Sequence, residues 1–366
     1  MDTVGIDSAR EAFFGEGRLP VMTVRPPVLQ SWIRCTDLGL GQRLLPSLAP
    51  LPEGDLRALR DRHNALRRLC RPELETLAGE ARETGSVVIL ADGDGMILDT
   101  LGDLGFAARA AQVALQPGVS WKEASTGTNA IGTAIAERKP VAVHGSEHFF
   151  AGHGVLSCAC TPIMDPRGAI IGALDISGPS AIGHGHALGM IRMAVDQIEH
   201  RLFRQRFDDC RVLRFHDDPA MLGSSREGIL VFREDRLVAG NRRGLALVDR
   251  HWDALDESSI EELFEERAHH GAVLELRLGT GASAVGRWDA PAERSGLGNA
   301  HFEDSFGHKN SAFAIRDAEL IESALVEARG NVSKAARQLG IHRSTIHRHL
   351  GRQREARAAD IPDGQR

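Results

Sequence analysis

The stretch from Asn331 to Arg352, NVSKAARQLGIHRSTIHRHLGR, constrains this chain more than any other, because it permits little besides two short helices joined by a glycine turn. Asn331 can cap the first helix, and Ala335 and Ala336 are small enough to let a second helix cross closely. Leu339 supplies an apolar contact before Gly340 takes the left-handed turn, and Ile341 fills the angle between the helices. In the second helix Ile346 and Leu350 stand four residues apart on the inner face. That spacing turns Arg343, Ser344, Thr345, His347 and Arg348 outward, with His342 at the helix start. A helix-turn-helix of this layout offers those side chains to the base edges and phosphates of double-stranded DNA. The charge distribution agrees. Residues 331–366 hold eight Lys and Arg against three Asp and Glu, a net of +5, so the remainder of a chain of net −6 carries −11.

A length of 366 residues predicts two to four domains, and 42% apolar with 26% charged residues suits a protein with real cores. There is no apolar run of eighteen and no signal-peptide layout at the N-terminus, so the expectation is a cytoplasmic protein without membrane contact. Five cysteines, Cys35, Cys70, Cys158, Cys160 and Cys210, include no CxxC pair and fit a reducing compartment better than a disulfide framework.

Taken in order, residues 1–74 read as a helical segment, in which Leu56, Leu59, Leu66 and Leu69 recur at helical spacing. Arg71-Pro72 is expected to interrupt that helix before another begins through Leu74 and Leu77. From Ser86 the period becomes extended: SVVILADGDGMILDT is a hairpin around a DGDG turn. It opens an α/β sensor core over 75–187. Within that core TNAIGTAIAE is helical, KPVAVHG, LSCACTPIMD and AIIGALDISG are strands, and DPRG joins the last two. Leu188, Ile191, Val195, Ile198 and Leu202 follow an a/d spacing, which predicts a linking helix over 188–210 that pairs with its copy in a homodimer. Residues 218–280 hold two strands around a REDR turn, a helix, a helical IEELFEERA and a last strand. A linker over 281–314 and a DNA-binding domain over 315–366 complete a multidomain α+β protein.

The motif GN-x-S-x-AAR-x-LGI-x-RSTI-x-R resembles the Fis-type helix-turn-helix, a resemblance that implies Arg343, Thr345 and Arg348 as DNA contacts. The chain departs from that pattern at His342, His347 and His349. The stretch over 75–200, with W-x-E-x-x-x-GTNAIGTA, EHF, LSC and DP-x-G-x-x-x-G-x-LD-x-SG, resembles the GAF sensor domain of acetoin-catabolism-type regulators. That resemblance implies a small-molecule effector held between the sheet and its covering helices, with no catalysis and no cofactor. Trp121, Glu123, Thr128 and Asn129 are its first candidate lining residues, and Glu147, His148, Phe149 and Cys158 the second group. Each also has a plain structural reading: Asn129 can cap a helix, and Cys158 can be a small buried apolar group. Residues 218–280 resemble a small PAS domain, with Asn241 at the strand-to-helix position.

His144, His148, His153, Cys158 and Cys160 fall within seventeen residues, yet none of their spacings is a metal-finger or HExxH arrangement, so no metal is assigned. Regulators of this type carry an ATPase between sensor and reader. The GxxxxGK[ST] loop it requires is absent, and no nucleophile elbow or catalytic triad order stands out, so no enzyme activity is expected. The leading reading is a bacterial transcription regulator whose dimer presents two readers to a two-fold operator, with RNA polymerase as a further partner. The alternatives are a signalling adaptor acting by protein contacts and a metal- or redox-sensing regulator.

Overall fold

The alternating residues from Val87 onward form a strand, β1 (Val87–Asp92), which returns antiparallel as β2 (Ile97–Gly102). Asp92 fixes the turn between them by accepting from the backbone N–H groups of Asp94 and Met96, at 3.0 and 2.9 Å. Three further strands, β3 (Val141–His144), β4 (Leu156–Met164) and β5 (Ile170–Pro179), complete a five-stranded antiparallel sheet in the order β2-β1-β5-β4-β3. The expected DPRG turn joins β4 to β5, with the Asp165 carboxylate accepting from the N–H groups of Arg167 and Ala169.

A computed structural model describes residues 3–289 apart from 42–47, 182–184, 205–206, 208 and 271–272, together with a few single positions between 325 and 334. The expected DNA contacts Arg343, Ser344, Thr345, His347, Arg348 and His342 lie outside the described residues.

The two faces of the first sheet bury different things. One face carries Val87, Ile89, Cys158, Cys160 and Ala173, which share a core with Val28 and Trp32 of α2 (Pro26–Asp37), Phe106 of α5 (Leu104–Ala111) and Ile131 of α7 (Ala130–Glu137). The N-terminal segment is therefore part of the sensor core: α1 (Thr3–Arg10) and α2 are helical as expected, but they close the sheet face and do not stand apart from it. By strand alternation the other face carries Val88, Leu90, Leu174 and Ile176, and α4 (Asn64–Glu83) and α8 (Ala187–Leu202) cover it.

Two expectations about these helices are corrected. Helix α4 runs through Pro72 without a break, and the interruption falls earlier, at His63 between α3 (Glu53–Arg62) and α4. Cys70, Leu74, Leu77 and Ala78 are buried on either side of the exposed proline, and their burial offsets its missing hydrogen bond. The a/d seam is not a free pairing surface either. Ile191, Val195, Ile198 and Leu202 are each fully buried within the chain, because α8 lies on β4, β5 and α4.

A second antiparallel sheet follows, in the order β8-β7-β6-β11-β10-β9. Its strands are β6 (Arg211–His216), β7 (Gly228–Arg233), β8 (Arg236–Gly240), β9 (Phe264–His270), β10 (Val273–Leu278) and β11 (Ser283–Trp288). Leu213, Phe215, Leu230, Phe232, Leu245 and Leu276 are among its core. The expected helix IEELFEERA is only four residues of helix, α10 (Ile260–Leu263), before β9 begins. The expected linker at 281–314 contains a strand, since β11 (283–288) sits between β6 and β10. Asn241 caps α9 (Arg242–Leu247): its carbonyl accepts from the N–H groups of Gly244 and Ile229, and its amide donates to Glu227 O.

Candidate functional site

The interior over the first sheet is more polar than a packed core requires. Thr128 and Asn129 are fully buried in the turn that leads into α7. Asn129 accepts from the Gly132 N–H at 2.8 Å and donates to the carbonyls of Trp121 and Gly127, so it caps α7 and ties together the loop that precedes it. Thr128 Oγ1 accepts from Ser31 Oγ of α2 at 2.8 Å, and Ser31 in turn accepts from Thr133. Gly127, at φ +62°, passes so close to Phe149 that a Cβ there would meet the ring's own Cβ at 2.5 Å.

Three arginines from the N-terminal segment grip the loops of this interior. Arg34 pairs bidentately with Glu123, at 2.7 and 2.9 Å, and reaches Glu137 at 2.6 Å. Arg25 pairs with Glu147, whose carboxylate also accepts from the His144 N–H. Arg10 donates to the carbonyl oxygens of Ser146, His148 and Phe149 and lies over the rings of Phe14 and Trp32. Both candidate carboxylates, Glu123 and Glu147, are thus occupied by this chain's own guanidinium groups. Phe149 packs edge-on to Phe14 and Phe150.

What this interior leaves unsatisfied is a smaller set. Nε2 of His148, Nδ1 of His153 and Oδ1 of Asp175 are buried without a hydrogen-bond partner among the described residues. His153 stacks against Trp121 at 4.9 Å and stands 6.3 Å from His148, ring centre to ring centre. Asp175 lies in register between Ile89 of β1 and Cys160 of β4, on the same face as both, and its other oxygen accepts from Ser177 Oγ at 2.6 Å. Burial pushes the imidazoles of His148 and His153 down, to about 3 and about 4, and pushes the Asp175 carboxyl up to about 7. A buried polar group without a partner is costly, and three of them border this one core.

With that geometry in view, the matches to known proteins can be placed on it. The MimR N-terminal domain family matches residues 3–200, from α1 to the end of α8, and the Fis family of bacterial regulatory proteins matches residues 313–352. The chain belongs to the MimR N-terminal domain family. It is 31% identical to the acetoin catabolism regulatory protein of Cupriavidus necator, over 66% of this chain and 38% of that one. It is 32% identical to the acetoin dehydrogenase operon transcriptional activator AcoR of Bacillus subtilis, over 49% of this chain and 29% of that one. A third relative, the propane 2-monooxygenase operon transcriptional activator MimR of Mycolicibacterium goodii, is 32% identical over 55% of this chain and 33% of that one. The chain spans between 29% and 38% of the length of these three relatives.

The matched span takes in α1, α2 and the sheet as one MimR-type domain, within which Arg10, Arg25 and Arg34 reach groups 89 or more residues away. In this domain Cys158 lies against Ser177 Oγ at 3.0 Å, and burial holds its thiol and that of Cys160 well above the ordinary cysteine value. Such thiols are poor nucleophiles and poor metal ligands, which weakens the redox reading. His144 turns its Nδ1 to Ser157 Oγ at 3.0 Å, and no three His, Cys, Asp or Glu among the described residues are gathered to hold a metal ion. No helix among the described residues is long and apolar enough to cross a membrane.

The domain gathers Trp121, Phe149 and Cys158 of the expected lining in one core with His148 buried beside them, while Glu123, Thr128, Asn129 and Glu147 each hold a contact within the chain. Sequence reasoning missed Asp175 and Ser177, whose signal is the D-x-S alternation inside an otherwise apolar strand. It also missed the roles of Ser31 and Arg34, which lie in the SWIRC run, and of Arg10 and Arg25, which carry no local signal.

Proposed function

We propose that the chain is a sequence-specific DNA-binding transcription regulator. In this reading its MimR-type domain takes up a small molecule, and its Fis-type helix-turn-helix reads a two-fold operator as a homodimer. The observation that carries the reading is the Fis-family match at 313–352 on the same chain as a sensor core with buried, unpartnered polar groups. Relatives named as operon transcriptional activators support activation as the direction of control. The 366 residues contain no GxxxxGK[ST] string, which supports regulation without ATP hydrolysis.

Genomic footprinting followed by fluorescence anisotropy on the recovered sites tests this. The expected result is an operator affinity that falls steeply with salt and a stoichiometry of two chains per site. DNA binding that is weak, sequence-indifferent or insensitive to salt would favour the adaptor reading instead.

A further inference from the structure

The turn between β4 and β5 does more than join two strands. The Asp165 carboxylate fixes it from inside and leaves Pro166, Arg167 and Gly168 at its tip, and all three meet the second sheet. Pro166 O accepts from the Gly240 N–H at the end of β8, at 2.9 Å, a backbone hydrogen bond from one sheet domain to the other. Arg167 donates to Val238 O at 3.2 Å and pairs with Asp256 at 2.6 Å. Gly168, at φ +80°, passes so close to Trp252 that a Cβ there would fall 2.5 Å from the ring's Cδ1. Trp252 stands in a single 3-10 turn, Trp252–Ala254, packed against the core that holds Phe215 and Phe232. Arg242 lies over the same ring at 5.7 Å and donates to Pro162 O and Glu199, so the ring links the tip to the contacts made by α8. The seat is also tied to the interior of the first domain. Arg138, the left-handed C-cap of α7, donates to Gly168 O, and α7 begins at the buried Asn129 cap.

We propose that this turn is a keyed latch: its tip plugs into a notch formed by Val238, Gly240, Trp252 and Asp256, holds the second sheet on the first, and disengages while both sheets stay folded. Its chemistry gives the reason. A seat of one ring, one backbone hydrogen bond and one ion pair is small beside the sheets it joins, and Arg167 and Asp256 are about half exposed, so water competes for their pair. The key is Gly168. Position 168 needs a left-handed backbone, which the turn alone explains, and an empty Cβ site, which only Trp252 explains. Because Arg138 holds the carbonyl of the same glycine, a shift of α7 reaches the latch directly. The latch stands whether or not the first domain takes up a ligand.

Hydrogen exchange on the full chain, read by mass spectrometry with fragmentation to single amides, tests this. The Gly240 N–H reports the latch, because its acceptor is Pro166 O. The Ile229 N–H, bonded to Asn241 Oδ1 inside the second sheet, reports whether that sheet stays folded. In the parent, Gly240 should be protected yet exchange faster than Ile229. Gly168→Ala should speed Gly240 exchange roughly tenfold or more and leave Ile229 unchanged. In a chain that already carries Trp252→Ala the ring is gone, so adding Gly168→Ala should speed Gly240 exchange far less than it does in the parent.

Equal exchange of Gly240 and Ile229 in the parent overturns the latch, since the tip would then leave its notch only when the sheet unfolds. Unchanged Gly240 exchange in Gly168→Ala overturns it too. An equal effect of Gly168→Ala with and without Trp252 reduces the glycine to a turn requirement and removes the key. If Gly168→Ala unfolds the second sheet, faster Ile229 exchange reveals it, and Arg167→Ala, which touches only the exposed pair and one carbonyl, decides instead: faster exchange at Gly240 alone supports the latch, and unchanged exchange there sinks it.

Discussion

At the scale of single residues, the sensor depends on charges that have been taken out of water and answered. Glu123 is 8% exposed and held by Arg34, so Arg34→Ala leaves a buried carboxylate without its cation. Because Arg34 is itself about a third exposed, the loss is smaller than for a wholly buried pair. We expect about 1–2 kcal/mol by urea unfolding, against close to zero for Arg18→Ala, whose pair with Glu16 lies in solvent. Equal loss in both variants would contradict this account of the N-terminal arginines. The buried titrating groups make a second prediction. An unfolded histidine takes its proton near 6.5, whereas His148 and His153 take theirs only at about 3 and about 4. Each contributes stability that is whole above the ordinary histidine value and drains as the pH falls toward the folded value. Asp175 works the other way: protonated up to about 7 when folded, it contributes most below the ordinary carboxylate value and loses that contribution as the pH rises through 7. Between about pH 6 and 4.5 two protons' worth of loss meets one of gain, leaving a slope of about 1.4 kcal/mol per pH unit from these groups. Asp175→Asn removes the gain and should steepen that slope by about the same amount, read from urea unfolding at stepped pH. Parallel curves for variant and parent would mean that Asp175 does not titrate in this range.

At the scale of elements, α8 shows how a correct periodicity can be given the wrong partner. The spacing of Ile191, Val195, Ile198 and Leu202 specifies an apolar stripe, but spacing alone does not say whether a copy or the chain's own sheet covers it. Here β4, β5 and α4 do. Val195→Asp is therefore expected to unfold the sensor, at a cost of about 3 kcal/mol or more, and not merely to separate a dimer. A soluble variant with native circular dichroism and only a changed sedimentation coefficient would restore the pairing seam. The same distinction explains what else the sequence could reveal. The β1–β2 and β4–β5 hairpins were legible because alternation and turn chemistry agree at Asp92 and Asp165. Strand β9 was not, since FEERAHH has the composition of a helix and becomes a strand only through pairing with β10. Strand β11 was hidden by its glycine and its shortness, and the packing of α1 and α2 on the sheet by distance, because the loops that the N-terminal arginines hold are remote in sequence. Of the site, the aromatic and histidine lining followed from local motif, whereas the roles of Asp175 and Ser177 depended on which strands flank them.

At the scale of the whole molecule, the two sheets are tied to each other by polar contacts. The C-terminal end of α8 is joined to both sheets: Glu199 accepts from the Met164 N–H of β4 and from Arg242 of α9, and His200 meets Glu227, which also holds Arg214 of β6. Arg242 further donates to Pro162 O, and Arg167 of the β4–β5 turn pairs with Asp256 beyond β8. The Arg242–Glu199 pair thus ties the second sheet to α8 and β4, and Arg242→Ala should uncouple the two. We expect calorimetry to resolve two melting transitions in that variant where the parent shows one. A single transition in the variant would make the joint incidental.

The reader makes the last demand. In the proposed reading a helix-turn-helix of 22 residues, Asn331 to Arg352, holds a long site as two copies acting together. The sequence pattern assigns Arg343 the expected contact to a base edge and Arg348 the expected contact to phosphate. Arg343→Ala should lose roughly 1–3 kcal/mol on operator DNA and little on random DNA, because it removes a contact that only one sequence supplies. Arg348→Ala should weaken both alike and lower the slope of log affinity against log salt by about 1 per reader, as one counterion fewer is released. Anisotropy titrations on operator and random duplexes at stepped salt separate the two. If the variants instead lose affinity in the same pattern, the two arginines share one kind of contact and the assignment of base reading to Arg343 is wrong.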